Sequence, residues 1–109
     1  QGYLTGKYLD GARPKGARTT LFERGQRYET KHAEEIIKKY IRLAQDFELD
    51  PAVMSLAFVN QQEFVTSNII GATTMEQLEI AVNSYSVKLP EDLVQKINSI
   101  HLECQNPCP

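Results

Sequence analysis

The spacing of apolar and polar positions predicts that most of this chain is α-helical. Between residues 30 and 47, apolar side chains recur every three or four positions, which is typical of an amphipathic helix. Asp50 precedes a proline, the pattern of a helix N-cap, and predicts a second helix over 51–60. The same periodicity predicts helices over about 74–84 and 90–102. The first of these two carries an apolar stripe of Met75, Leu78, Ala81, Val82 and Tyr85.

One segment is predicted to form a β-strand. Residues 65–70 are rich in apolar and β-branched side chains, and the run stops at Gly71. Thr73 and Thr74 then offer hydroxyl groups, and acidic and amide side chains follow at capping-box spacing. A strand that turns through glycine into a capped helix presents backbone N–H groups and a positive dipole end, which suits a phosphate. A plain strand-to-helix connection has the same local pattern, so both interpretations stay open.

The N-terminal segment differs from the rest in composition and charge. Residues 1–29 are predicted to be mostly irregular because glycine and proline interrupt them, and Lys7 to Arg18 would form a basic flap over a ligand. Residues 1–42 hold ten basic and five acidic side chains, a net charge of +5, whereas the remainder has a net charge of −7. A basic loop suits an anionic ligand such as a dinucleotide. A solvated loop paired with a neighbouring surface is the alternative.

Several kinds of function find no support in the sequence. No apolar run approaches the length of about 20 residues that crosses a membrane. Cys104 and Cys108 have no Cys or His partners at zinc spacing, so we expect no metal. A small-loop disulfide between them, which Pro107 would strain, is the alternative to the free thiols that we expect in a reducing cytosol. The serines include no nucleophile elbow. The aromatic interleaving and recognition helix of nucleic-acid readers are also missing.

Two segments carry a resemblance to a known family. GYLTGKY at residues 2–8 and IGATTMEQL at residues 70–78 resemble, in this order, the motifs after the seventh and eighth barrel strands of the aldo/keto reductases. The similarity is to the branch of Tas-like reductases and potassium-channel β-subunits. It covers nearly all of this chain but only the last third of a family member. The implied fold class is α/β: the C-terminal portion of a (β/α)8 TIM barrel, with strand 8 and its flanking helices. By itself the chain would be mostly α-helical with one clear strand.

The resemblance also implies a domain organisation. Residues 1–109 would be one C-terminal barrel fragment, with a cofactor-covering loop over 1–29 and the helices and last barrel strand over 30–109. A complete barrel needs roughly 250 residues, so we expect this chain to be a fragment. Because one strand cannot form a sheet, the isolated piece is expected to fold partly, to exchange elements with a copy of itself, or to dock onto the rest of the barrel.

The function that the resemblance implies is cofactor binding within an oxidoreductase. The chain would be the cofactor-phosphate-binding part of an NADP(H)-dependent aldo/keto reductase, a cytoplasmic enzyme that reduces aldehydes or ketones. The family's catalytic Asp, Tyr, Lys and His lie on earlier strands, so no catalytic residue is assigned here, and activity of this chain alone stays uncertain. The resemblance places Leu4, Gly6 and Lys7 along the pyrophosphate. It places Arg18 in the loop that covers the cofactor. Around the 2′-phosphate it places Gly71, Thr73 and Gln77.

The chain departs from the family pattern at two positions near the adenine. Ile80 and Ala81 stand where the family has an acidic and an amide side chain. This departure puts the adenine contacts in question and supports an alternative, a truncated, non-catalytic module that binds a nucleotide or a protein. The expected partners are NADP(H) and a small carbonyl substrate in the intact protein, together with the remainder of the barrel or a second copy. No nucleic acid, membrane or metal is expected.

Overall fold

The structure is a computed structural model that describes residues 2–22 and 25–108. The chain is mostly helical, as the sequence predicts. The α-helices are α1 (Arg18–Phe22), α2 (Lys31–Asp46), α3 (Pro51–Asn60), α4 (Met75–Asn83) and α5 (Glu91–Glu103). Short 3₁₀ turns lie at Tyr3–Thr5, Leu9–Gly11, Gln26–Tyr28 and Ser84–Ser86.

The predicted strand over 65–70 is wrong, because the structure assigns no strand within residues 2–22 and 25–108. A β-strand exists only when a neighbouring strand accepts and donates its backbone hydrogen bonds. The segment is an irregular connection between α3 and α4. At its start the Val65 N–H donates to the Gln62 carbonyl at 3.0 Å, which is a turn contact. Ile69 is 95% exposed. The β-propensity of this segment is real, but nothing in the described chain pairs with it.

Helix α2 begins and ends at recognisable caps. The Thr30 hydroxyl accepts a hydrogen bond from the Ala33 N–H at 3.1 Å, which satisfies one of the donors that a helix start leaves open. Beyond the last turn, Glu48 has a left-handed φ of 55°. This bend lets the Leu49 N–H reach the Ala44 carbonyl at 2.9 Å. The helix therefore stops before α3, and the chain turns back.

The predicted cap of α3 is confirmed. The Asp50 carboxylate accepts hydrogen bonds from the N–H groups of Ala52 at 2.7 Å and Val53 at 3.2 Å. Proline occupies the start of the helix, where its missing N–H costs nothing. The Gln61 side chain, at the other end of α3, bonds both backbone groups of Leu89. These contacts fix the segment that leads into α5 against the end of α3.

Helices α2, α3 and α5 enclose the main core. Both α3 and α5 contact α2. Leu93 on α5 and Ala44 on α2 are fully buried, and side chains from the connecting segments fill the space between the helices. The core consists of Leu43, Ala44, Met54, Ala57, Leu89, Leu93 and Ile97. A smaller cluster of Tyr3, Tyr8 and Ile37 joins the N-terminal turns to the outer part of α2.

Helix α4 does not share in this core. Its N-cap and ends are well formed, but none of its residues is buried. Along its apolar stripe, Met75 is 78% exposed and Val82 is 63% exposed. The stripe thus lies largely in solvent, although its spacing is that of a packing face. No helix in the described part of the chain has the length and apolarity needed to cross a membrane.

Candidate functional site

The N-terminus of α4 has the capped geometry that the sequence predicts. The Thr74 hydroxyl accepts a hydrogen bond from the Gln77 N–H at 3.2 Å. The Gln77 side-chain oxygen reaches back and accepts from the Thr73 N–H at 2.9 Å and from the Thr73 hydroxyl at 3.2 Å. This is a capping box shifted by one residue, because the amide bonds the residue before the cap. The helix geometry leaves the N–H groups of Met75 and Glu76 without intrahelical acceptors.

This helix end is open to solvent. Gly71 is exposed, and a Cβ built there would have no heavy atom within 4 Å. The positive end of the helix dipole and the exposed amides attract an anion. The Glu76 carboxylate, in the first turn of the same helix, opposes that attraction. The local field therefore suits an anion that basic side chains from elsewhere in the protein also contact.

Leu4, Gly6 and Lys7 lie together in and just after the first 3₁₀ turn. Gly2 and Gly6 bracket this turn with left-handed φ values of 82° and 80°. A Cβ on Gly6 would come 3.0 Å from the Cδ1 atom of Ile41, so this position needs glycine for space as well as for its φ angle. Leu4 is 38% exposed. The turn is thereby held against α2 while its outer side stays accessible.

The Lys7 side chain folds back over its own turn. A Cβ built on Gly2 would lie 2.8 Å from the Lys7 ammonium nitrogen, so the side chain runs directly above that glycine. The ammonium lies 5.2 Å from the Tyr8 ring centroid, within cation–π range. Lys7 is half-buried. A phosphate could recruit this ammonium after a change of rotamer.

Arg18 is exposed at the start of α1. Its guanidinium carbon lies 5.9 Å from the Phe22 ring centroid. The short helix therefore holds a basic side chain on the outer side of the N-terminal segment, where the sequence predicts a flap. Arg13, in the same segment, instead pairs with the Glu29 carboxylate at 2.9 Å.

The structure joins some of the predicted site residues and leaves others apart. Thr73 and Gln77 are hydrogen bonded, and Leu4 to Lys7 share one turn. Helix α3 contacts both this turn and α4. Among the described residues, however, no extensive contact links the turn directly to α4. Ile80 and Ala81 are half-buried on α4 and offer no hydrogen-bonding side chain near the cap.

The sequence analysis missed a tyrosine cluster in the N-terminal segment. The Tyr3 ring centroid lies 4.7 Å from that of Tyr8 and 4.8 Å from that of Tyr28. The Tyr3 hydroxyl donates to the Glu29 carboxylate at 3.0 Å and lies 3.2 Å from the Thr19 hydroxyl. Burial raises the pKa of Tyr3, the Thr19 contact lowers it, and Glu29 raises it further. The sequence feature that could have predicted an ordered segment is the presence of three tyrosines in a glycine-rich stretch.

A small cavity of about 200 Å³ lies beside these rings and is lined in part by Arg13 and Glu34. Because the hydroxyl groups of Tyr3 and Tyr8 are bonded within the segment, the cluster orders the loop rather than presenting reactive groups. In the part of the chain that the structure describes, no three His, Cys, Asp or Glu side chains are arranged to hold a metal ion.

The comparisons with known proteins identify the class of this chain. Residues 1–102 match the model of the aldo/keto reductase family. The chain therefore belongs to the aldo/keto reductase family. The match covers both motifs on which the resemblance was based.

Individual relatives fall within the predicted branch. The chain is 45% identical to Protein tas of Escherichia coli (strain K12) over 108 residues. The aligned region covers 99% of this chain and 31% of that protein. Protein tas of Shigella flexneri gives the same values. The putative voltage-gated potassium channel subunit beta of Schizosaccharomyces pombe is 29% identical over 106 residues, with 91% of this chain and 30% of that protein covered. The chain thus spans less than a third of the length of these relatives.

Proposed function

We propose that this chain is the C-terminal, cofactor-phosphate-binding part of an NADP(H)-dependent aldo/keto reductase that reduces aldehydes or ketones. The observation that carries the proposal is the start of α4, where the family motif IGATTMEQL coincides with an exposed, capped helix N-terminus. Family membership over residues 1–102 supports it. A cytoplasmic location is part of the same proposal.

The residues present fit a phosphate group. The amides of Met75 and Glu76 point out of the first turn. The Thr73 hydroxyl donates to the Gln77 side-chain oxygen and would have to leave it to donate to a phosphate. These neutral donors need a cation beside them, because Glu76 lies in the same turn. Arg18 and Lys7 are the basic side chains that the family motifs provide. Arg is suited to phosphate because its planar guanidinium donates two parallel hydrogen bonds.

Each residue then has a defined task. Gly71, Thr73 and Gln77 would surround the 2′-phosphate, and the Gln77 side chain would keep the Thr73 backbone in place by accepting from its N–H. Arg18, in the covering loop over 1–29, would neutralise phosphate charge. Leu4, Gly6 and Lys7 would follow the pyrophosphate. When bound, the cofactor supplies the hydride that reduces the carbonyl. No residue of this chain is proposed to move a proton or hydride, so its part is to bind and orient.

The rest of the barrel is the proposed partner of the exposed apolar segment. Phe64, Ile69 and Tyr85 are 83%, 95% and 84% exposed, so large apolar side chains of this segment lie in solvent. In a barrel, residues 65–70 would form the eighth strand and pair on both sides. Residues 30–109 would then supply that strand with its helices, and a second copy of the chain is the competing partner.

The proposal is tested by cofactor preference in the full-length protein. Arg18→Ala should weaken NADPH binding about tenfold more than NADH binding, because only NADPH carries the 2′-phosphate that a charge-assisted contact would recognise. Lys15→Ala is the matched control, since Lys15 is an exposed basic residue of the same loop. It should leave the preference unchanged. Equal losses for both cofactors in Arg18→Ala would contradict the assignment to the 2′-phosphate.

A non-catalytic nucleotide- or protein-binding module is the second candidate. Ile80 and Ala81 favour it, because neither side chain can donate or accept a hydrogen bond from an adenine. A panel of aldehydes and ketones, assayed with the full-length protein and NADPH, separates the two functions. Turnover would support the reductase. Binding of NADPH without turnover of any substrate would support the module.

A further inference from the structure

One of the two cysteines of the C-terminal segment contacts a histidine that is distant in sequence. The Nε2 atom of His32, at the start of α2, lies 2.9 Å from the Sγ atom of Cys104, although 72 positions separate them in sequence. An ion pair between Lys39 and Glu103 holds the end of α5 against the same helix. The contact therefore lies at the exposed edge of the region where α5 packs on α2.

Cys108 follows Cys104 in the same C-terminal segment. Both cysteines are half-buried reduced thiols, and only three residues separate them. Residues 104–108 are not helical, so helical spacing does not hold the two sulfur atoms apart, although Pro107 restricts the backbone between them. Burial raises the pKa of the Cys108 thiol, and the nearby Cys104 raises it further, while the Arg27 guanidinium acts in the opposite direction. Cys108 thus keeps its proton more firmly than an ordinary cysteine does.

We propose that Cys104 and Cys108 form a reversible disulfide in response to peroxide, with His32 accepting the proton of Cys104. The two thiols differ in their surroundings in the way that such a pair requires. Cys104 has an imidazole nitrogen within hydrogen-bond distance, which places a proton acceptor beside its thiol. Cys108 is the second thiol of the same short segment, which places it to act as the resolving thiol. This site is independent of the proposed cofactor site, because none of its three residues belongs to it.

The chemistry balances with hydrogen peroxide as the oxidant. The Cys104 thiol gives its proton to the His32 imidazole, and the thiolate attacks one peroxide oxygen. The O–O bond breaks, and the leaving hydroxide takes the proton from the imidazolium, so that Cys104 becomes a sulfenic acid and one water is released. The Cys108 sulfur then attacks the Cys104 sulfur. The S–O bond breaks, a second water leaves, and the disulfide forms. A dithiol reductant returns both thiols.

The test uses the full-length protein, hydrogen peroxide and mass spectrometry after alkylation of the remaining thiols. The expected result is a C-terminal peptide that lacks two hydrogens, carries no alkyl group on either cysteine, and recovers both alkylation sites after reduction. Cys108→Ser should stop the reaction at a sulfenic acid on Cys104, which dimedone would label. Independent alkylation of both cysteines after peroxide treatment would overturn the proposal.

The role of His32 is tested by rate. His32→Gln should slow the peroxide oxidation of Cys104 by about tenfold, because the local proton acceptor is lost. His101→Gln is the matched control, since His101 is the other histidine of the chain and is also exposed. It should oxidise at the wild-type rate. An unchanged rate in His32→Gln, or equal slowing in both variants, would overturn the assignment of the proton acceptor.

Discussion

Two regions of this chain contain similar apolar side chains, which are buried in one region and exposed in the other. In the three-helix region of α2, α3 and α5, Leu93 is fully buried. In the segment from Phe64 to Tyr85, Ile69 is 95% exposed. Hydrophobicity alone does not separate the two regions, because both have apolar residues at packing spacings. The difference is whether the described chain supplies a partner surface.

The three-helix region is local in sequence. Helices α2 and α3 follow one another directly, and α5 closes the core through Leu93 and Ile97. The exposed segment instead has the pattern of a strand and helix whose partners are elsewhere. Several large apolar side chains exposed along one segment indicate a surface that a partner covers. In the proposed barrel, preceding strands would cover that surface. The contrast between the buried three-helix region and the exposed segment can be tested by substitutions, from the largest expected effect to the smallest.

The largest effect is expected in the three-helix region. Leu93→Ala should lower the free energy of unfolding of the full-length protein by about 2–5 kcal/mol, because it removes a fully buried side chain and leaves a cavity. Urea denaturation measures this change. Leu102→Ala is the control on the same helix. Leu102 is 72% exposed, and its truncation should stay within about 0.5 kcal/mol. Equal effects would contradict the placement of the core.

The next prediction addresses the exposed segment directly. In the full-length protein, Ile69→Ala should cost about 2 kcal/mol, because Ile69 would lie in a paired and covered barrel strand. Leu102→Ala again gives the reference for an exposed apolar residue. Both side chains are exposed in this chain, so only burial by another part of the protein would make them differ. If urea denaturation gives the same small change for both, the exposed segment has no covering partner.

A helix cap should give a smaller effect. Asp50→Ala should lower stability by about 1 kcal/mol, because the N–H groups of Ala52 and Val53 lose their acceptor. Asp46→Ala, at the exposed end of α2, is the control and should change stability by less than about 0.5 kcal/mol. Thermal unfolding of the two variants checks the difference. A cost for Asp46→Ala as large as that for Asp50→Ala would show that the cap is not the cause.

The smallest effect concerns a surface ion pair. Lys38 contacts the Asp10 carboxylate at 2.9 Å and the Glu34 carboxylate at 2.6 Å. The hydrogen bond from Lys38, and then its charge, lower the pKa of Asp10. The stabilisation that ionised Asp10 contributes is therefore fully present above the ordinary carboxylate pKa, and it is lost as the pH falls through the lowered pKa of Asp10. The pKa of Lys38 is raised, first by Glu34 and then by Asp10, so its contribution is lost as the pH rises through the raised value.

An NMR titration of the Asp10 carboxyl group checks this prediction. The midpoint should lie below the ordinary value of about 3.9 and should rise toward it in about 1 M salt, because salt screens exposed charges. Lys38→Gln should have the same effect as salt. A midpoint that is insensitive to both would rule out the pair as the cause. Asp10→Asn is a suitable stability control, since asparagine also tolerates the left-handed φ of 55°.

The sequence was sufficient where the structure depends on neighbouring residues. The caps at Asp50 and Thr74 and the extents of α2 and α5 follow from local spacing, and the structure agrees with them. The strand over 65–70 was not predictable in the same way, since strand pairing depends on a partner distant in sequence. The tyrosine cluster was missed for a similar reason. It forms only when Tyr28 returns to Tyr3 after two turns and a helix.

The candidate site shows the same limit. The contact between Thr73 and Gln77 lies within one helical turn and was predictable from their spacing. The relation of Arg18 and Lys7 to that helix end depends on tertiary structure, and neither spacing nor charge fixes it. Likewise, nothing in the sequence indicated that His32 would contact Cys104.

Amide hydrogen exchange in the full-length protein, followed over residues 65–77 with and without NADPH, tests the central claim most directly. We predict that the amides of 65–70 are protected even without cofactor, because they would be paired as the eighth strand. NADPH should add protection at 71–77, where the phosphate would bind the exposed helix end. Rapid exchange over 65–70 together with no response to NADPH at 71–77 would contradict both the barrel strand and the phosphate site.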